Sequence, residues 1–436
     1  MNMDTKLQLK RFDSQKLFFI LFFTAVVNTV LFASVTSSNS LLGLFFLDRD
    51  DSFMDLFNPI AFTRSANPYD NAEMGAIYPA LCYVIYKFLS LFFSADLADA
   101  GAKAMRSSAP GALMTVVFSQ LFFIALVLFC LYLFRNKSRL YGIASIITIL
   151  FASPIIYQWE RANILGLALI LLMVYIVGMN SENKIIREIS YICLALSASL
   201  KIYPAVFGIL LLLEKRWKDT IKTAIYGIIA FFLPFWFFDG IESIKCFVTN
   251  LTSGAQTTNY NNTGVGFRID LATNISIVKW LIGKDGSMPT RWQTLILVFF
   301  CVILASGIFL LKEKWKKLLC ITIIMIIIPA FGFEYSACFY IIPFAYFMQE
   351  SRKGVMDYFY SFAFFMLLAP VTFRNVFFTD VWPIWSFYGL TLTVFLMNIG
   401  QLFMIALAGV SLIIEIISRI RAHKNSKKSD LPAKVN

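Results

Sequence analysis

Long apolar stretches recur along this chain, at residues 17–33, 111–134, 164–177, 292–311 and 318–330, and several reach the roughly 20 residues that a helix needs to cross the hydrocarbon layer of a bilayer. Backbone polar groups have no water to bond there, so only helices and closed barrels span membranes. A barrel strand would alternate apolar and polar residues with period two, and these stretches do not. The fold class is therefore all-α, a polytopic transmembrane helical protein. With 59% hydrophobic residues, 15% charged residues and a mean hydropathy of +0.72, the chain lies outside the usual makeup of soluble domains.

The first stretch follows Lys6, Lys10, Arg11 and Lys16, as in a signal peptide. No small-residue cleavage site leads into a polar mature chain, so it reads as a retained first span. The seven cysteines sit mostly in apolar runs without Cys-x-x-Cys spacing, which suggests neither a disulfide framework nor a zinc site. The single histidine, His423, lies in a basic tail, which argues against histidine-based catalysis. A net charge of +12 could suggest nucleic acid, but its distribution along the chain reads as membrane topology, and no nucleic-acid partner is expected.

Basic clusters fall at residues 6–16, 135–139, 184–187, 214–222, 312–317, 352–353 and from 419 onward. The positive-inside tendency puts all of them on the cytoplasmic side. Counting every apolar run as a crossing breaks that assignment, so one run must not cross. The weakest is "YPALCYVIYKFLSLFF" (78–93), which is short, carries Lys87 and has three tyrosines, as a helix lying at the outer interface would. About 12 spans then remain, near 17–35, 110–134, 140–158, 163–180, 188–200, 203–213, 220–238, 293–311, 318–333, 337–348, 355–371 and 396–418. Those near 188–200 and 203–213 are too short for full crossings, and a broken or re-entrant pair around "SLKIYP" (199–204) is expected. Residues 1–238 form a membrane core whose first outer loop is 36–109. Residues 239–292 form an outer polar loop, 293–418 the C-terminal transmembrane helices, and 419–436 a basic cytoplasmic tail.

On this topology the unusual polar residues gather on the outer face: Asp48, Asp50, Asp51 and Asp55, then "YQWERAN" (157–163), Lys201 with Tyr203 and Pro204, and "FGFEYSACFY" (331–340). Ionisable residues at membrane depth are costly and usually face a cavity or a partner, which makes Glu160, Arg161, Lys201 and Glu334 functional candidates. The plainer alternative for Glu160 and Arg161 is an interfacial ion pair. Asp51 and Asp55, four apart, share one face of a helix starting near Asp50 or Asp51. One of them could serve simply as an acid at the positive end of the helix dipole. The loop at 254–274, rich in Asn, Thr and Gly with one Arg and one Asp, suits hydroxyl-rich ligands or is merely a polar loop, and its Asn-x-Ser/Thr triplets at Asn261 and Asn274, like that at Asn250, are frequent by chance.

A first outer loop opening with Asp, then "NPYD" (67–70), "YPAL" (78–81) leading an interfacial helix, and "AMRSSAPGAL" (104–113) entering the second span together resemble the GT-C superfamily of membrane glycosyltransferases. Within it, "ERAN" (160–163) and "KIYP" (201–204), the latter followed by an apolar run and "EKRW", look most like glycosyltransferase family 87, a polyprenyl-phosphate-sugar-dependent, mannosyltransferase-like group. The resemblance covers roughly residues 15–240. Such families often show Gly-Gln-x-Asn or Glu-Arg-Gly-Asn and Tyr-Pro-Pro-Leu where this chain has Ala162 and Ala80, and a late His where it has Glu334-Tyr335.

The resemblance implies transfer of a monosaccharide from a polyprenyl-phosphate donor to a cell-envelope glycan or glycolipid acceptor on the outer face of the membrane; the charge topology puts both termini in the cytoplasm, and the lack of eukaryotic targeting motifs favours a bacterial inner membrane. The loop-one Asp of the family falls on Asp51 by spacing to "NPY" or on Asp55 by the following Leu56-Phe57. An acceptor hydroxyl needs a base, Asp55 or Asp51, and a leaving lipid phosphate needs cations, for which Lys201, Arg161 and Arg268 are available. Glu160 and Glu334 would orient these cations or bind sugar hydroxyls, with Asn163 and Tyr203 also lining the substrate. No cofactor is expected, although Asp48, Asp50 and Asp51 are oxygen ligands of the kind that hold Mg²⁺ or Mn²⁺. The rival classes are a transporter or flippase, which needs mid-bilayer charges and an internal repeat, and a polysaccharide polymerase or ligase, whose large loop comes late in the chain.

Overall fold

A computed structural model describes residues 13–36, 50–70, 76–257, 267–282, 288–329, 332–350, 352–369 and 391–429. Asp48, Asn261 and the middle of the 254–274 loop lie outside the described residues. The chain is all-α: α1 (Ser14–Thr36), α2 (Met54–Phe62), α3 (Ala80–Ser90), α4 (Ala95–Asp99), α5 (Ala102–Ser107), α6 (Ala109–Phe134), α7 (Arg139–Leu150), α8 (Ser153–Arg161), α9 (Leu165–Gly178), α10 (Lys184–Leu200), α11 (Ile209–Leu213), α12 (Trp217–Phe232), α13 (Ile241–Thr257), α14 (Leu271–Leu281), α15 (Thr290–Leu310), α16 (Lys314–Ile327), α17 (Ile341–Phe347), α18 (Val355–Leu368) and α19 (Leu392–Ser429). Short 3₁₀ segments at Pro68–Asp70, Tyr203–Gly208, Leu233–Phe237 and Glu334–Tyr340 connect or extend them.

Among the described residues, five helices are long and apolar enough to cross a membrane, over Ser14–Leu31, Ala109–Phe134, Trp217–Phe237, Thr290–Leu310 and Leu392–Lys424. They match five of the twelve expected spans. The other seven are shorter or interrupted, for local reasons. Residues 140–158 divide at Phe151–Ala152, where Pro154 starts α8 because a proline lacks the N–H a continuing helix would need. Residues 203–213 begin as a 3₁₀ turn over Pro204, and 337–348 are a 3₁₀ segment followed by the seven-residue α17.

Burial separates the two groups. Along α6, Leu113, Val116, Leu121, Ile124 and Leu128 are exposed, the pattern of a helix with an apolar lipid-facing side. In α16, by contrast, every residue from Leu318 to Ile327 is buried, as a helix surrounded by others should be. Central helices need not match the hydrocarbon thickness, because protein rather than lipid covers their ends.

Residues 78–93, read as non-crossing, form the 11-residue α3, which buries Ala80, Cys82, Tyr83 and Tyr86. It belongs to a second apolar core with Leu56, Phe57, Ile60, Tyr69, Phe235 and Phe247, distinct from the main one between the central helices. The "NPYD" segment anchors this layer: the Tyr69 ring lies 5.7 Å from Phe235 and 5.2 Å from Tyr83, and Asn250 on α13 donates to the Tyr69 carbonyl at 3.0 Å.

The basic clusters collect together at one end of the bundle. Ser14 donates to the Arg352 carbonyl at 3.0 Å, Arg352 pairs with Glu313, Gln349 donates to the Leu133 carbonyl at 3.4 Å, and Lys314 feels the charge of Glu214. Lys312 pairs with Glu415 at 3.1 Å on α19. Described segments far apart in sequence thus meet at one end of the bundle.

Close helix crossing is set by Gly400 on α19, where an added Cβ would stand 2.9 Å from the Met366 Cβ and 3.2 Å from the Ala363 carbonyl of α18. Gly400→Val should destabilise the protein by about 1–3 kcal/mol, the usual range for overpacking, against a few tenths gained in helix propensity. A lowered unfolding midpoint of the purified protein in detergent checks this; an unchanged midpoint would mean the two helices separate without penalty.

Candidate active site

Asp51 and Asp55 owe their direction to Phe53, which lies in the left-handed region at φ +63° and begins α2. That conformation is costly for a bulky residue and persists only where the surroundings impose it. The Phe53 N–H is held by the Glu160 carbonyl at 2.6 Å. Arg106, from α5, donates to the carbonyls of Asp50 and Ser52, both at 2.9 Å, and so clamps the turn from the other side.

Facing this turn is the end of α8. Its C-terminal residue Arg161 is followed by Ala162, also left-handed at φ +49°. The reversal presents Arg161 and Asn163 to the same two acids. One Nη of Arg161 pairs with Asp51 and the other with Asp55 Oδ1 at 2.5 Å. Asn163 Nδ2 donates to Asp55 Oδ2 at 2.8 Å and to the Tyr78 hydroxyl at 3.0 Å, while its Oδ1 accepts the Leu165 N–H at 3.0 Å. The Gln158 side chain donates to the Asn163 carbonyl at 2.6 Å, which fixes the reversal.

The third contributor is the break after α10. Lys201 is extended (φ −143°, ψ 122°), so the expected interruption at "SLKIYP" occurs at this residue. Its Nζ lies 3.9 Å from the centre of the Tyr78 ring, a cation–π contact that holds the ammonium without neutralising it. Cys82 of α3 donates to the Leu200 carbonyl at 3.1 Å, tying the interfacial helix to the break.

Asp55 is the more enclosed of the two acids, its side chain 15% exposed against 45% for Asp51. Burial pushes the Asp55 carboxyl up to about 6; the Asn163 hydrogen bond and the Lys201 charge oppose this, and the Glu160 charge adds to it. Glu160 is itself buried, its Oε1 accepting from Ser52 at 3.5 Å. The ion pair weighed for Glu160 and Arg161 takes a different form, since Arg161 pairs with Asp51 and Asp55.

The remaining candidates stand further out. Asp50 is exposed and contributes its carbonyl to Arg106. Tyr203 is half-buried and makes an edge contact with Phe339 at 6.1 Å. Glu334 is buried at the start of a 3₁₀ segment that packs on α8, with Tyr335 against Tyr157 at 5.8 Å. Arg268 is 4% exposed and paired with Asp270. It belongs to a second polar cluster, bridged to Phe333 and held through its carbonyl by Asn398 at 2.9 Å, and is not among the contacts of Asp55. Among the described residues, no three His, Cys, Asp or Glu side chains are grouped to hold a metal ion. Two residues of the site were not singled out from the sequence, Tyr78 and Arg106, although both stand inside the motifs quoted above, "YPAL" and "AMRSSAPGAL".

Ala162 explains its own departure from the glycine found in similar sequences. A left-handed residue costs about 1–2 kcal/mol if it carries a Cβ. Glycine removes that cost, but it gives back about 0.4–1 kcal/mol in chain entropy and about 0.8 for the buried methyl. Ala162→Gly should therefore leave stability and activity nearly unchanged, while the β-branched Ala162→Val should lower both. Unfolding midpoints and sugar-transfer rates of the two variants check this.

A search of curated proteins returns no match. A profile of glycosyltransferase family 87 matches residues 104–331. The match takes in Arg106, "ERAN" and "KIYP" and extends well beyond residue 240, where the resemblance read from motifs thins out; the acidic turn precedes it. It covers just over half of the chain, which is a membrane-helical glycosyltransferase belonging to glycosyltransferase family 87.

Proposed function

We propose that this glycosyltransferase moves a monosaccharide from a polyprenyl-phosphate donor to a glycan or glycolipid acceptor on the outer face of a bacterial inner membrane. The observation that carries the reading is the meeting of a buried carboxylate and an ammonium without an ion-pair partner across Tyr78 and Asn163. Asp55 accepts from Asn163, and Lys201 rests on the Tyr78 ring. Among the described residues Lys201 makes no ion pair, which leaves its charge available to an anion.

In the transfer step the acceptor hydroxyl oxygen forms a bond to the anomeric carbon as the bond from that carbon to the phosphate oxygen breaks. The hydroxyl proton passes to Asp55. The bonding pair leaves with the polyprenyl phosphate, whose added charge Lys201 offsets. No acid is needed, because a phosphate leaves unprotonated. Arg161 is engaged with both aspartates, so its role is to hold Asp55 in direction rather than to bind the phosphate alone. Asp51, more exposed, is the second anchor of Arg161. Arg268, paired with Asp270, is not needed for the donor phosphate in this scheme.

The sidedness follows from charge. The basic clusters share the opposite end of the bundle, which by the positive-inside tendency is cytoplasmic and leaves the site facing the periplasm.

Purified protein supplied with a panel of polyprenyl-phosphate monosaccharides and envelope glycolipid should consume one donor, and Asp55→Asn should lower transfer about 10²–10⁴-fold with folding intact, the usual contribution of a general base. Asp51→Asn should cost less. Because burial raises Asp55 to about 6, and a base works only when deprotonated, kcat/KM should fall as pH drops through about 6. An Asp55→Asn enzyme with full activity, or a rate that rises toward acid pH, would remove Asp55 from the role of base.

A further inference from the structure

Tyr78 is placed with unusual care for a residue in a loop. The following Pro79 restricts its backbone to extended geometry. Its carbonyl accepts from the Tyr69 hydroxyl at 2.9 Å, and two residues earlier the Ala76 carbonyl accepts from Asn250 at 3.2 Å. Its ring lies 6.2 Å from that of Tyr83, nearly parallel. The "NPYD" segment, whose Asn67 and Tyr69 are bound into the layer under α13, thus fixes where this one phenol points.

Its hydroxyl has a defined hydrogen-bond state. A phenol oxygen carries one proton to donate and can accept as well. Asn163 Nδ2 fills the accepting side at 3.0 Å, since an amide N–H can only donate. The phenol proton is therefore turned away from Asn163, and among the described residues no side chain or carbonyl receives it. Burial and the neighbouring Asp55 charge push the phenol well above its ordinary range, which keeps it a donor rather than a base. The face of the same ring carries the Lys201 ammonium at 3.9 Å. One side chain therefore presents a neutral O–H donor and, on its ring, a cation, the combination that recognises a phosphate oxygen.

We propose that Tyr78 is a further donor-binding residue, whose hydroxyl donates to a phosphate oxygen of the polyprenyl-phosphate sugar while its ring positions Lys201 beside that phosphate. This rests on the reading of the site given above and deepens it. Asn163 then ties the two halves of the reaction together, since the same amide that orients the base Asp55 directs the Tyr78 proton toward the leaving group. No covalent step is added.

The test is binding of sugar-free polyprenyl phosphate to the full-length protein in detergent, together with donor kinetics, for wild type, Tyr78→Phe and the control Tyr132→Phe, exposed near the far end of α6. Tyr78→Phe keeps the ring under Lys201 and loses only the hydroxyl. It should weaken polyprenyl-phosphate binding and raise the donor KM by about ten- to a hundredfold, the size of one hydrogen bond to a charged group, with an unchanged unfolding midpoint. Tyr132→Phe should match wild type. A merely structural hydroxyl would shift the midpoint and kcat but not the affinity for the sugar-free phosphate. Equal binding by wild type and Tyr78→Phe overturns the assignment of Tyr78 while the transfer reading stands. A wild type that neither binds polyprenyl phosphate nor consumes any donor overturns both, because the phenol then has no anion to meet.

Discussion

The candidate site depends on one guanidinium shared by two carboxylates. Arg161 bonds Asp51 and Asp55 across a gap between chain segments more than a hundred residues apart, and each segment reaches that contact through a left-handed residue, Phe53 on one side and Ala162 on the other. Such residues are disfavoured in isolation, so the contact and the turns support one another. Removing one partner of a partly enclosed ion pair costs more than the pair contributes, because the remaining charge stays desolvated. Arg161 is only 16% exposed, and a loss there would leave two acids facing each other. Arg106 and the Glu160 carbonyl hold the acidic turn from behind, so the charges gather on a braced backbone rather than a loose loop.

The break at Lys201 shows how a membrane protein can keep a charge at such a site. Helix α10 ends at Leu200 and does not run on through Lys201. The extended backbone at Lys201 and the 3₁₀ turn over Pro204 instead bring the ammonium to Tyr78. Irregular backbone at membrane depth is tolerated only where protein covers it, and here Cys82 of α3 takes the Leu200 carbonyl that the ended helix leaves over. Helix α3 thus covers the end of the broken one.

That architecture was legible in the sequence where the signal was long and repeated. The five long apolar helices and the interruption near residue 201 follow from length, charge placement and proline. The split at Phe151–Ala152 was not, because "FASPII" continues an apolar run and only Pro154 marks the new helix start. Which aspartate is enclosed was also hidden, since Asp51 and Asp55 share one helix face, and spacing four apart gives no reason to prefer either. The difference arises from Asn163 and Lys201, which touch the site from distant parts of the chain. Arg268 illustrates the opposite problem: Asp270, two residues on, neutralises it, a partner visible in "FRID" but indistinguishable there from any other polar pair.

The chain opens its first outer loop with a run of acids, and the geometry gives two of them different work. Burial raises the Asp55 carboxyl to about 6 against the Asn163 hydrogen bond and the Lys201 charge, which on the proposed reading puts it near the pH at which a base is most effective. Asp51, more exposed, is on that reading the second anchor of Arg161. On the proposed reading, Arg161 stays with the two aspartates, and Lys201, which makes no ion pair among the described residues, is offered to a singly charged phosphodiester while the base remains free.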